Sequence, residues 1–106
     1  MPEKEHPINK NWAELTAVDK TIHEPARLAV LTILDAVESA DFLYLQKATQ
    51  LTKGNLSVHL TKLEDAGLIE IQKSFQGKIP RTLCRLTLKG EDSFKVYKGQ
   101  MKGFLG

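Results

Sequence analysis

A chain of 106 residues, 26% of them charged and 7% aromatic, is ordinary globular material and long enough for one core without surplus. No apolar run reaches the length of a membrane span, and the opening MPEKEHPINK lacks the apolar stretch of a secretion signal, so a soluble cytoplasmic protein with no membrane partner is expected. The net charge of +2 is too small to name a polyanionic partner by itself, and a single cysteine, Cys84, excludes an intrachain disulfide.

Residues 1–10 are polar and hold Pro2 and Pro7, which suggests a loose N-terminus ahead of a single domain over 11–106. Trp12, Leu15, Val18 and Ile22 recur at helical spacing and predict a short amphipathic helix. Pro25 suits a first helical turn, and the helix it opens runs to about Glu38. Its Leu28, Val30, Leu31, Ile33, Leu34 and Val37 cover more than one stripe, so burial on two sides is expected. Asp41 can cap a third helix through about Thr49, with Phe42, Leu45 and Ala48 facing inward. Thr52 can cap a fourth, spanning 52–66, which Gly67 closes where a left-handed residue is wanted.

LIEIQKSF then alternates as a strand does, Gln76, Gly77 and Lys78 signal a turn, and RTLCRLT returns. Pro80 marks the returning strand as an edge at its start. Thr87 can cap a last helix with Phe94, Tyr97, Met101 and Phe104 or Leu105 in an apolar stripe. Two short helices across a brief turn, followed by a basic hairpin, spell a winged helix-turn-helix. The fold class is mainly α with a small β-hairpin, and the first and last helices are available for dimerisation. Trp12, Leu15, Val18, Ile22, Phe94, Tyr97 and Met101 are the candidate dimer contacts, since a C2 dimer would cover all these apolar surfaces together.

Charge is distributed unevenly. Glu24, Asp35, Glu38 and Asp41 face only Arg27 between residues 24 and 41. Residues 42–63 carry Lys47, Lys53 and Lys62 and no acid, and residues 71–90 carry Lys73, Lys78, Arg81, Arg85 and Lys89 and no acid. On the 52–66 helix, Leu56, Leu60 and Leu63 fall within about 60° of one another and should face the core. The other face is centred on Gly54, Val58, Thr61 and Asp65 and flanked by Asn55, Ser57 and Lys62, with Lys53 in the first turn and His59 nearer the buried edge. Small polar residues there let a helix enter a DNA major groove, where hydroxyls and Lys62 reach base edges and the Val58 methyls meet thymine. Thr52 and Lys53 stand at the positive end of the helix dipole, which suits a phosphate. A polar face alone is also what a water-facing helix shows, and cations on a hairpin also deter aggregation. Both features in this order, with acids left out, favour DNA.

The stretch from Asp41 to Gly90 resembles the small stand-alone winged-helix transcriptional regulators related to the MarR and ArsR groups. The resemblance rests on GNLSxHLxxLExAG at Gly54–Gly67 and FxGxxPRTxYRLTxxG at Phe75–Gly90, and HEPARLAVLTIL resembles that family's first core helix. It implies a homodimeric, sequence-specific DNA-binding regulator of transcription. The 52–66 helix would enter the major groove of double-stranded DNA, and the wing over 73–85 would reach the adjacent backbone or minor groove. By position it makes Asn55, Ser57, His59 and Lys62 recognition residues, and Lys78 and Arg81 wing residues; Lys73 joins them as a nearby cation. Two positions depart from the pattern: Ile79 stands where a further cation is common, and Cys84 stands in place of an aromatic.

Other chemistries find little support. Cys84 alternates with Thr82 and Leu86 as a core residue would, rather than as an exposed redox thiol. His6, His23, His59 and Cys84 are scattered without metal-ligand spacing, and no phosphate loop or nucleophile–base pair is present, so neither cofactor nor catalysis is expected. No small-molecule effector is specified. The competing reading is a winged helix that docks a protein or binds structured RNA; the acid-free outer face of 52–63 speaks against it.

Overall fold

A computed structural model describes residues 12–105. The expected loose N-terminus at 1–10 lies outside the described residues. Five helices and three strands follow in the order α1 (Trp12–Thr16), α2 (Pro25–Ala36), β1 (Ala40–Asp41), α3 (Phe42–Thr49), α4 (Lys53–Asp65), β2 (Ile69–Gln76), β3 (Ile79–Leu86) and α5 (Leu88–Leu105). This is the winged helix-turn-helix expected, with one strand more than the hairpin.

The first helix is shorter than its apolar spacing suggests. It stops at Thr16 because Asp19 turns the chain: its Oδ1 accepts from the backbone N–H groups of Thr21 at 2.8 Å and Ile22 at 3.2 Å. A side-chain acceptor so close offers the backbone an alternative to the helical ladder. Val18 and Ile22 are nonetheless buried, delivered to the core from this turn. Glu24 caps α2 by accepting from the Ala26 N–H, and Pro25 takes the first helical position, where a missing N–H costs nothing.

The helix-turn-helix depends on two caps and one left-handed residue. Asp41 accepts from the Tyr44 N–H at 2.7 Å to start α3, and Thr52 Oγ1 accepts from the Asn55 N–H at 3.1 Å to start α4. Between them Gln50 closes α3 with φ of 59°, and its side chain donates to the Lys47 carbonyl at 2.9 Å. Within α3, Leu45 is buried and Phe42 half-buried, while Ala48 faces solvent and Thr49 takes the inner position expected of it.

The sheet order is β1–β3–β2, all antiparallel. Strand β1 pairs only Ala40 with Cys84 and Asp41 with Leu83, so β3 is central at its end and edge-like at its start, where Pro80 sits. Gln76 pairs with Ile79 across a two-residue turn in which Gly77 has φ of 63°, as a type II′ hairpin requires of its first central residue. The aliphatics Val30, Leu31 and Leu34 of α2, Leu45, the α4 stripe Leu56, Leu60 and Leu63, Leu68, Ile69, Cys84, and Phe94 and Tyr97 of α5 make one core.

Cys84 is fully buried in that core, and burial, with Glu64 and Asp41 nearby, pushes its thiol up to about 11. Alkylation of Cys84 by an excess of a water-soluble maleimide should therefore proceed only as fast as the protein unfolds. Rapid labelling under native conditions would show the core open at β3.

Candidate nucleic-acid interface

Helix α4 packs inward through Leu56, Leu60 and Leu63, which leaves Thr52, Lys53, Asn55, Ser57, Val58, Thr61 and Lys62 exposed. Across from it stand the hairpin and the start of α3, and together they form a cleft of about 830 Å³. Lys53, Ser57 and Thr61 line its helical side, and Lys73 and Arg81 its wing side. Asn55, Val58 and Lys62 lie outside this cleft on α4, and Lys78 lies at the hairpin turn.

His59 is placed differently from the rest. Its Nδ1 is 3.1 Å from Glu24 Oε2 and 3.1 Å from Arg27 Nη1, so it faces the start of α2 and not the outer surface of α4. Arg27 is buried there, donating from Nε to the Thr21 carbonyl at 2.6 Å. Burial works against the charge on Glu24, but the Ala26 N–H, His59 and Arg27 outweigh it and hold the carboxyl below its usual range. Although Glu24 Oε2 lies 3.4 Å from Arg27 and 3.1 Å from His59, neither contact has hydrogen-bond geometry. Arg27 Nη1 and His59 Nδ1 are 3.1 Å apart, within hydrogen-bonding distance. The cluster ties α4 to the start of α2.

Arg81 is likewise engaged. Its Nη2 donates to Asp41 Oδ2 at 3.0 Å, joining the wing to the residue that caps α3. The Tyr44 N–H, against some opposing burial and with help from Arg81, keeps the Asp41 carboxyl below its usual range. Sequence reasoning found Asp41 as a cap but not as the anchor of the wing, because that role needs a partner 40 positions away.

The cations divide by pairing. Arg85 pairs with Glu70, Lys98 with Asp35, and Lys89 donates to the Ala66 carbonyl. Among the described residues, Lys53 and Lys62 of α4 and Lys73 and Lys78 of the wing make no ion pair. Lys53 and Lys62 of α4 and Lys73 and Lys78 of the wing are thus exposed and uncompensated, whereas Arg81 and Arg85 of the hairpin are paired with Asp41 and Glu70. Glu64 is the one exposed acid of α4 that lines the cleft.

The candidate dimer residues fall in two groups. Val18, Ile22, Phe94 and Tyr97 are buried within the protomer's own core, as a chain with no apolar surplus requires, and Tyr97 shares a 2.6 Å hydrogen bond with His23 Nδ1. Trp12 is exposed and rests against Phe104 at 6.0 Å between ring centroids; Leu15 and Met101 are half-buried beside them. Leu105, named in the apolar stripe, is exposed, and so is Val96 on the opposite side of α5.

Among the described residues, no three His, Cys, Asp or Glu side chains gather as a metal site would, and no helix is long and apolar enough to cross a membrane.

A helix-turn-helix with a basic wing, cationic on those two elements, is a winged-helix DNA-binding module. The chain belongs to the family of winged helix DNA-binding domains, which residues 26–105 match. It is 38% identical over 79 residues to an uncharacterised protein, MJ0432, of Methanocaldococcus jannaschii, covering 74% of this chain and 85% of that one. A transcriptional regulator homologue from Pyrococcus horikoshii OT3 is similar in structure, with a TM-score of 0.81 and 30% identity over 88% of this chain and 94% of the other. A structure described as a transcriptional regulator of the MarR family, from Enterococcus faecalis V583, shares the fold at a TM-score of 0.72 and 17% identity, over 93% of this chain and 89% of its own. These likenesses place the chain among winged-helix transcriptional regulators and not among enzymes.

Proposed function

We propose that the protein is a cytoplasmic, homodimeric, sequence-specific regulator that sets α4 in the major groove of double-stranded DNA and its wing on the adjacent backbone or minor groove. The observation that carries this reading is a group of four exposed lysines outside any ion pair, Lys53 and Lys62 on α4 and Lys73 and Lys78 on the wing. Ser57, Val58, Thr61 and Lys62 read base edges; Lys53, Lys73, Lys78 and Arg81 bind phosphates and release counterions. Two protomers associate through α1 and α5, using Trp12, Leu15 and Met101, and set two recognition helices about one turn of DNA apart.

The test is fluorescence-anisotropy titration of the duplex upstream of the protein's own gene against a scrambled duplex at two salt concentrations. Saturation at two protomers per site, tighter for the natural sequence, supports the reading. Failure to bind either duplex at low salt would turn the assignment towards a protein-docking module.

A division of labour among the side chains is expected in the same assay. Lys78→Ala should weaken binding to every sequence about equally and lower the salt slope by about one. Ser57→Ala should alter preference at one base pair and leave that slope alone. A sequence-specific effect of Lys78→Ala would contradict its backbone role.

A further inference from the structure

The tip of the wing is apolar in a hairpin that is otherwise polar and basic. Phe75 is 72% exposed and Ile79 68% exposed, with Pro80 exposed beside them. Phe75 pairs with Pro80, and Gln76 with Ile79. Because side chains alternate along a strand, Phe75 and Pro80 occupy one face of the ribbon and Ile79 the other. Single exposed apolar residues need no explanation, but here both faces of one tip carry a large one. Leaving both in water forgoes the free energy that burying them would supply. The nearest fully buried side chain of the hairpin is Cys84, well down the strand.

What covers the tip is indicated by its surroundings. Lys78 sits in the turn, Lys73 and Arg81 stand further down, and residues 71–90 contain no acid. An apolar end within a cationic frame suits a polyanion with an apolar interior. Gln76, Ile79 and Pro80 also border the cleft that Ser57 and Thr61 line, so the tip lies beside the recognition helix. A DNA minor groove fits these requirements: phosphates run along its rims, and apolar side chains can wedge between its base steps.

We propose that Phe75 and Ile79 form an apolar wedge that enters the minor groove next to the major groove occupied by α4. The wedge selects for steps that open at low cost, such as TA or CA, and so contributes sequence preference without hydrogen bonds to bases. This inference rests on the DNA-binding function proposed above.

The full-length protein, Phe75→Ala, Ile79→Ala and Lys78→Ala are titrated against a bound duplex and against the same duplex with the step under the wing changed from TA to GC. Phe75→Ala is expected to lose about tenfold in affinity with its salt slope unchanged, because it removes apolar contact and no charge. Wild type should prefer TA at that step, and Phe75→Ala should lose the preference; Ile79→Ala should shift both in the same direction. Both residues are exposed, so thermal melts should match wild type. If wild type binds specifically while both variants keep its affinity and step preference, the wedge is overturned and the DNA-binding function stands. If wild type binds no duplex, both fall together. Conversion of the dimer to monomer by Phe75→Ala, seen by sedimentation, would overturn the wedge in favour of contact between protomers.

Discussion

Gly90→Ala should lower the melting temperature by roughly 15 °C. A Cβ at position 90 would lie 1.9 Å from the Leu68 carbonyl oxygen, 2.9 Å from its carbonyl carbon and 3.2 Å from its Cα. All three are backbone atoms and cannot swing aside. Nor can the segment shift easily, because this junction is tied on every side. The Thr87 N–H donates to the Leu68 carbonyl at 3.1 Å, Thr87 Oγ1 donates to the Gly67 carbonyl at 2.6 Å, and the Gly90 N–H donates to Thr87 Oγ1 at 2.9 Å. Overpacking at a rigid contact costs about 3 kcal/mol, against a total stability of roughly 5–15 kcal/mol. At this chain length each kcal/mol moves the midpoint by about 4–8 °C. Gly99→Ala is the control: it lies in the same helix with nothing within 4 Å of the added methyl, and should raise stability by up to about 1 kcal/mol. Circular-dichroism melts of the two variants check this, and a Gly90→Ala midpoint within a few degrees of wild type would show that the α4–β2 turn can yield.

Thr61→Glu should abolish specific DNA binding while leaving the fold intact. Thr61 is exposed at the centre of the outer face of α4 and lines the cleft with Ser57 and Lys53. It makes no hydrogen bond that holds the helix, and glutamate is a good helix former, so stability should change by no more than about 0.5 kcal/mol. A carboxylate there would face phosphates on both sides of the groove. Like charges brought together at an interface cost several kcal/mol, so a loss on the order of a hundredfold is expected. Anisotropy on a specific duplex measures it, with a melt alongside. Undiminished binding by a folded Thr61→Glu protein would remove α4 from the groove.

Helix α4 could be read from sequence because its determinants are local. Leu56, Leu60 and Leu63 repeat at helical spacing, Thr52 caps one end, and Gly67 takes φ of 76° after the other. Gly90 also stood out in a motif, but its physical reason became visible only when α5 was seen against Leu68. Strand β1 was hidden because two residues carry no periodicity. The shortening of α1 turns on the Asp19 side chain, which competes with a spacing that otherwise reads as helix.

The site divides along the same line. Exposure of Lys53, Ser57 and Thr61 follows from helix geometry alone. The inward turn of His59 depends on Arg27, 32 positions earlier, and the engagement of Arg81 depends on Asp41. Both partners were visible in the sequence, and neither pairing was. The burial of Phe94 and Tyr97 likewise depends on how α5 lies on the rest of the protomer, which an apolar stripe does not specify.

Selection from a pool of randomised duplexes by the purified protein tests the central claim most directly. The account predicts enrichment of a pseudo-palindrome whose half-sites are centred about 10 base pairs apart, and loss of that enrichment with Thr61→Glu. A pool that remains random after repeated rounds, or one enriched equally by Thr61→Glu, would contradict it.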